Sequence, residues 1–361
     1  MKFIKPYQEY LINLFLKNLI IVTLIFASLS FILNILEEVK FFKEFQLGFY
    51  YPIIFTALNL PSILFEIFPF IILISTQMFF MHLYNRDEIN IFKNYGIKNT
   101  DIIKIVSIIT LIFGFFLVLG FHMFSSSLKY NYLSFKNNFT DDNKYLAVIN
   151  ENGLWIKDEI NDSIIITNAR KIESNFLVNV SISILNKDFQ LIETIIAENA
   201  NIRNNMWVID KPKIYSIGEN KDEVDILRLN SNFDLKKINN LFSNLASLNL
   251  FQLKSQYDDY KRLGYSTLEL ESQMHKLIAL PVYLIIMILI GSMIMFNAKH
   301  NKSKIFNIVS GILFSVMIYY INYFFNVMGL NERIPVILSV WFPLFILILI
   351  STMGLIKVND K

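Results

Sequence analysis

Hydrophobic residues along this chain are gathered into long blocks, separated by short polar stretches and, once, by a long segment of different rhythm. Crossing a hydrocarbon layer takes about 20 mostly apolar residues as helix, because without water every backbone N–H and C=O must be bonded inside the segment. Six blocks meet that length, at roughly 11–36, 51–83, 101–124, 274–297, 305–328 and 333–356. No small-residue cleavage site follows the first block, so it reads as an uncleaved span, with Lys17 able to snorkel from it.

Between the third and fourth blocks, short apolar runs alternate with polar residues and are bounded by turn residues, the pattern of strands. Candidate strands are YLAVIN (145–150), GLWIKD (153–158), SIIITNARKI (163–172), LVNVSISILN (177–186), LIETIIAENANI (191–202), MWVIDKPKIYSI (206–217) and VDILRLN (224–230). Their regular spacing fits a β-sandwich, a jelly roll or a short β-solenoid. From about 234 a helical period returns, with Gly264 as its expected break. The sequence therefore predicts a membrane α-helical protein with six transmembrane helices and an inserted all-β domain. Its parts are 1–124, with spans 1–3 and a short helix at 85–96; 125–270, the β domain and a helical connector; and 271–361, with spans 4–6.

Lysines and arginines in short loops set membrane orientation. Lys2 and Lys5 precede span 1, Arg86, Lys93 and Lys98 follow span 2, and Lys299, Lys302 and Lys304 follow span 4. The first loop (EEVKFFKEF) and the fifth (NERI) carry no such excess. Alternation then puts both termini and the 84–100 and 298–304 loops in the cytoplasm and 125–270 outside.

Composition narrows the function. With 54% hydrophobic residues and 34 Phe, the chain is too apolar for an ordinary soluble protein of 361 residues. The absence of cysteine excludes disulfides, thiolate metal sites and cysteine nucleophiles. A net charge of +3, with no basic concentration in the polar segment, speaks against a nucleic-acid partner. No G-x-x-x-x-G-K-[ST], H-E-x-x-H or G-x-S-x-G motif occurs, and the four histidines are scattered, so no catalytic, cofactor or metal constellation is expected. Few charges lie deep in the spans, which argues against an ion-coupled carrier with a charged midplane site.

One polar interruption, NRDEINIFKNYGIKNT (85–100), reads as a discrete short helix. Asn85 and Glu88 are spaced as a capping box, and Gly96 suits the left-handed position that ends a helix. Ile89, Phe92 and Gly96 share one face beside Glu88. A solvated loop helix accounts for these residues, and so does a coupling helix seated in the groove of a cytoplasmic partner. So short a helix is marginal in water, and the second reading supplies the surface that would hold it. Elsewhere, Pro61, Pro69, Pro281, Pro335 and Pro343 lie in or beside spans, where ordinary kinks are common. Lys40 and Lys43 leave span 1 at the level where Lys129 and Lys136 leave span 3; each alone is an ordinary interfacial anchor, and together they would suit anionic head groups.

In their order, LPSILFEIFPF in span 2, RDEINIFKNYGI after it, ESQMHKLIALP entering span 4 and RIPVILSVWFP at span 6 resemble the YjgP/YjgQ permeases. These are LptF and LptG of the lipopolysaccharide export ABC transporter. GLWIKD is closer to the LptG branch. The resemblance implies a bacterial inner-membrane permease with a periplasmic β jelly roll. It would work with an LptF-like paralogue, an LptB-like ATPase dimer and an LptC-like periplasmic bridge protein. It further implies that Arg86, Asp87, Glu88, Ile89, Phe92 and Gly96 couple to the ATPase, which would perform the ATP hydrolysis this chain lacks. The chain departs from the family at Asn34, where a basic residue is frequent, and at Ser125 and Leu128, where Pro and an acid are frequent. On this reading lipopolysaccharide meets apolar walls such as TLIFASLSFIL and FSVMIYYINYFF, with Lys40, Lys43, Lys129 and Lys136 facing its phosphates. The rival reading is a membrane-anchored β-domain scaffold or receptor without transport.

Overall fold

The computed structural model describes residues 5–43, 45, 48–137, 139, 154–160, 163–173, 175–187, 189–216, 219–220, 224–233, 235, 238, 244–263, 266–297 and 304–359. In chain order the helices α1 (Pro6–Lys43), α2 (Tyr50–Asn85), α3 (Glu88–Asn94) and α4 (Asn99–Phe116) come first. A π-helical turn, Leu117–Phe121, joins α4 to α5 (His122–Asn137). Among the described residues eight strands follow: β1 (Leu154–Ile160), β2 (Ser163–Glu173), β3 (Phe176–Leu185), β4 (Leu191–Asn201), β5 (Met206–Asp210), β6 (Lys213–Ser216), β7 (Glu219–Asn220) and β8 (Ile226–Asn230). Helices α6 (Leu250–Leu263), α7 (Leu268–Asn297), α8 (Lys304–Leu330) and α9 (Val336–Asn359) complete the chain. Two compact units result, one of Met1–Lys129 with Leu268–Lys361 and one of Tyr130–Thr267.

Among the described residues six helical segments are long and apolar enough to span a membrane: α1, α2, the continuous run Asn99–Lys136, and α7, α8 and α9. Several run past their apolar blocks, since helix, once nucleated, propagates through adjoining polar flanks. Several polar side chains inside them return to their own backbone: Asn18 donates to the Leu14 carbonyl, Thr23 to Leu19, Thr76 to Ile72 and Ser292 to Ile288. Each such bond satisfies a donor that lipid cannot.

Lipid supplies no hydrophobic drive between helices, so close packing does much of the work, and small residues permit it. A Cβ on Gly114 of α4 would lie 2.8 Å from Pro281 Cα of α7, and one on Gly291 of α7 would lie 3.1 Å from the Leu73 carbonyl of α2. Gly311 of α8 leaves room for the Gln77 side chain, whose amide reaches across to the Asn307 carbonyl at 2.8 Å. Helix α7 is accordingly the most enclosed span, with 61% of its apolar window buried; α1 and α8 are the least, at 17% each.

In the second unit the sheet runs β1-β2-β3-β4-β5-β8 with antiparallel pairing, and β6 pairs with β4 and β7. The expected strand MWVIDKPKIYSI is two strands, because Lys211 adopts φ 46° ahead of Pro212, which has no N–H to donate. YLAVIN and Gly264 lie outside the described residues. The segment after 234 is not one helix: a 3-10 turn at Leu245–Ser247 precedes α6.

Strict alternation also fails within β3 and β4. Leu177 and Val180 are both buried, as are Ala197 and Ala200, so the inward parity changes over in both strands. The change falls at one cross-strand row, between the pairs Lys171↔Val178 and Ala169↔Val180, where Asn179 has φ 54°. The core gathers Leu177, Ile182, Ile195, Ile209 and Trp207, whose indole donates to the Phe233 carbonyl at 2.7 Å.

Asp158, the acid that ends GLWIKD, is 4% exposed and fully engaged. It accepts from the Ser231 hydroxyl at 2.9 Å, the Asn232 backbone N–H at 2.9 Å and the Asn232 side-chain amide at 2.8 Å. These bonds fasten β1 to the chain leaving β8. Removing a buried acceptor costs its bonds and strands the donors, together about 3 kcal/mol. Asp158→Ala is therefore expected to lose amide-exchange protection across Leu154–Ile160 and Ile226–Asn230 by roughly 100-fold, while amides of α2 and α7 stay unchanged.

Candidate functional site

Two regions of the helical unit gather the residues singled out by sequence. The first is α3. Asn85 is the last residue of α2, and the residue before α3 is Asp87, at φ 57° and without a side-chain cap bond to the helix. The capping box expected from Asn85 is thus absent, because α2 consumes that residue. Asp87 instead accepts from the Asn90 side chain at 2.6 Å.

The far end of α3 closes as expected. Gly96 lies at φ +82°, its N–H donates to the Lys93 carbonyl at 2.9 Å, and the Ile97 N–H donates to the Phe92 carbonyl at 2.9 Å. That pair of bonds is a Schellman cap, and a left-handed residue makes it possible. The next helix starts at once, with the Lys98 N–H bonded to the Asp101 carboxylate at 3.1 Å.

The faces of α3 divide differently from the sequence expectation. Ile89 is 4% exposed and packs inside its own chain, and Phe92 and Glu88 are half-buried. Ile91, at 49%, and Tyr95, at 82%, stand exposed one turn apart. Arg86, Asp87 and Lys93 are exposed with them. Glu88 already has an internal partner: the Tyr10 hydroxyl of α1 sits 2.9 and 2.7 Å from its two carboxylate oxygens.

The second region is the opposite end of the helices, where α1 finishes and α2 begins. Lys40 and Lys43 lie in the last turn of α1 and are exposed. Lys129 of α5 is half-buried, with its ammonium donating to the side-chain amide oxygen (Oδ1) of Asn59 in α2 at 2.6 Å. Two helical turns further along the same face of α2 is Glu66, which attracts both Lys129 and Lys276 of α7. LPSILFEIFPF and ESQMHKLIALP thus bring opposite charges toward one another. Lys136 belongs to the other unit and is buried, donating to the Tyr132 hydroxyl at 2.8 Å. Asn34 is buried too, so it adds nothing to the exposed rim of Lys40 and Lys43.

The apolar stretches expected to line a lipid path are exposed on the helical unit. Leu24, Ile25, Leu29, Ile32 and Leu33 stand out from α1, and Tyr319, Tyr320, Tyr323 and Phe324 from α8. Among the described residues no cluster of three His, Asp or Glu side chains could hold a metal ion.

Comparison with known families decides what this arrangement belongs to. The family described as "Lipopolysaccharide export system permease LptF/LptG" matches residues 9–357. The chain belongs to the LptF/LptG permease family. No individual curated protein matches it. As an LptF/LptG permease it is a multi-pass inner-membrane transport subunit and not itself an enzyme. The six apolar helices and the central antiparallel sheet agree with that family's membrane-helical architecture with an inserted β domain.

Sequence reasoning did not find Tyr10, Asn59 or the Lys276–Glu66 attraction in this permease. Asn59 and Glu66 carried a usable signal, since a polar side chain within a span demands a partner. Tyr10 carried none: it lies 78 residues from Glu88 and resembles any interfacial tyrosine.

The Schellman cap is directly testable. No atom would meet a Cβ at Gly96, so substitution acts through backbone conformation alone. Gly96→Ala is expected to cost about 1 kcal/mol, raising exchange of the Gly96 and Ile97 amides roughly fivefold, whereas Gly96→Asn, which tolerates the left-handed region, costs less.

Proposed function

We propose that this chain is the LptG-like permease subunit of an ABC transporter that extracts lipopolysaccharide from the inner membrane and passes it to a periplasmic bridge. Both termini and α3 face the cytoplasm and the β unit faces the periplasm. That orientation rests on Arg86, Lys93, Lys98 and the Lys299–Lys304 cluster, all on one set of alternate loops. GLWIKD favours LptG over its paralogue, and Asp158 gives that motif a structural task.

The observation that carries the reading is the display of α3. A seven-residue helix would not persist alone in water, yet it is capped by Gly96 and seated through Ile89 while Ile91 and Tyr95 stay uncovered. An aromatic and an aliphatic anchor one turn apart suit the groove of a partner, in the helix-in-groove mode. The chain has no nucleotide-binding motif of its own, so the partner that fits is an LptB-like ATPase dimer. Arg86, Asp87, Glu88, Ile89, Phe92 and Gly96 then form the coupling element, with Ile89 and Gly96 shaping it and Ile91 and Tyr95 added to its contact face.

An LptF-like paralogue would cover the open faces of α1 and α8, the two least enclosed spans. Lipid acyl chains would meet the same apolar surfaces. Lys40 and Lys43 are accessible to head-group phosphates, and Lys129 could exchange Asn59 for a phosphate oxygen. Lys136 is the weakest member of that set, being buried against Tyr132. Among the described residues β1 and β8 pair along one edge only, which leaves edges for strand addition to an LptC-like bridge protein.

Purification from native membranes in mild detergent is expected to recover an ATPase subunit and a second six-span chain with this one. A monomer with neither companion overturns the proposal in favour of a membrane-anchored scaffold. Replacing both Ile91 and Tyr95 by Ala is expected to lower ATPase recovery at least about 10-fold, as loss of central anchors does, with the six-span partner retained.

A further inference from the structure

The hydrogen bond between Tyr10 and Glu88 joins two elements whose roles so far are separate. Helix α1 is one of the two least enclosed spans, and α3 is the element that would receive motion from an ATPase. The Tyr10 hydroxyl is within bonding distance of both carboxylate oxygens of Glu88, at 2.9 and 2.7 Å, so its proton can be received by either without rearrangement. A phenol donating to a carboxylate makes a charge-assisted bond, stronger than a neutral one. Arg86 is close enough to interact with the same phenol oxygen, which places a base and an acid from either side of Asp87 on one α1 side chain.

We propose that Tyr10 is a positioning residue: it latches Glu88 and thereby ties displacement of α3 to the foot of α1. The inference rests on the reading of α3 as the ATPase-docking helix. The carboxylate offers about four acceptor sites, so Glu88 can keep Tyr10 while receiving a cationic group of the partner. Helix α3 is otherwise joined through the chain to α2 before it and α4 after it, and both of these pack on the enclosed α7. Without the latch, motion of α3 would reach α1 only indirectly, through the packing of α1 on α2; the latch gives the foot of α1, and the apolar face that span offers to lipid, a direct attachment to α3.

The test uses the complete assembly in lipid vesicles, comparing wild type, Tyr10→Phe, Glu88→Ala and the double variant. ATPase capture, ATP turnover and lipopolysaccharide release are measured together. Tyr10→Phe is expected to retain ATPase capture and ATP turnover within about twofold while lowering lipopolysaccharide released per ATP by roughly tenfold, the scale of one hydrogen bond to a charged group. The loss from Glu88→Ala should be largely absorbed in the Tyr10→Phe background, as expected of residues acting as one unit. Unchanged release per ATP in Tyr10→Phe, or losses that simply add, overturns the latch while leaving the docking helix intact. Failure of wild type to capture an ATPase overturns the docking reading and the latch with it. Amide exchange in α3 of the isolated chain gives a second readout: Tyr10→Phe should raise it several-fold, and no change overturns the latch without any partner present.

Discussion

The demand that nothing polar be left unbonded in hydrocarbon governs the helical unit from its longest element to its smallest side chain. It makes the spans helical, and it also decides where their hydroxyls and amides go. Asn18, Thr23, Thr76 and Ser292 each bond back to a carbonyl one turn earlier, so the helices carry polar residues without needing water. With these groups satisfied locally, helices join through a few polar contacts, such as Gln77 with Asn307 and Lys129 with Asn59, and through shape. Gly114 against Pro281 and Gly291 against Leu73 let backbones approach where a larger residue would hold them apart, and Gly311 leaves room for the Gln77 side chain.

That economy sets which surfaces stay open. Helix α7 takes part in the Gly114 and Gly291 contacts and is enclosed, while α1 and α8 keep broad faces of leucine, isoleucine, tyrosine and phenylalanine uncovered. In a soluble protein such faces would signal an unstable fold. Here they suit the proposed pairing with a second permease chain, since lipid and a partner helix would compete for the same surface on nearly equal terms. The β unit solves a different problem with water at hand. Its sheet packs on a core that includes Trp207, its inward parity changes at the row of Asn179, and the buried Asp158 bonds secure β1 to the chain beyond β8.

How much of this could be read from sequence depends on whether the cause is local. Blocks of apolar residues and alternating runs are local, and they yielded six spans and the strands from GLWIKD to VDILRLN. The failures have non-local causes. The parity change in β3 and β4 is a property of a row across strands, invisible in either strand alone. Asn85 looked like a cap because the sequence could not show that α2 runs through it. Periodicity grouped Ile89, Phe92 and Gly96 on one face but could not say which face the rest of the chain had already taken. The exposed pair, Ile91 and Tyr95, lies on the part of α3 that packing left over. Glu66 and Lys276 were visible as charges in spans, but their attraction depends on helices more than 200 residues apart in the chain.

Helix α3 is the place where these levels meet. At seven residues it gains too few internal bonds to offset its nucleation cost, so each of its supports comes from outside the helix. Gly96 closes its end, Ile89 seats it and Tyr10 holds its first turn. A longer helix would be stable by itself and could move independently of the spans. A short one exists only while it is attached, so any force that moves it must act on its attachments. Its brevity, which makes it look like a mere loop in the sequence, is what would make it an effective transmitter. The attachment to α1 through one hydrogen bond, and to α2 and α4 through the chain itself, would then determine how that force is shared between an exposed span and more enclosed ones.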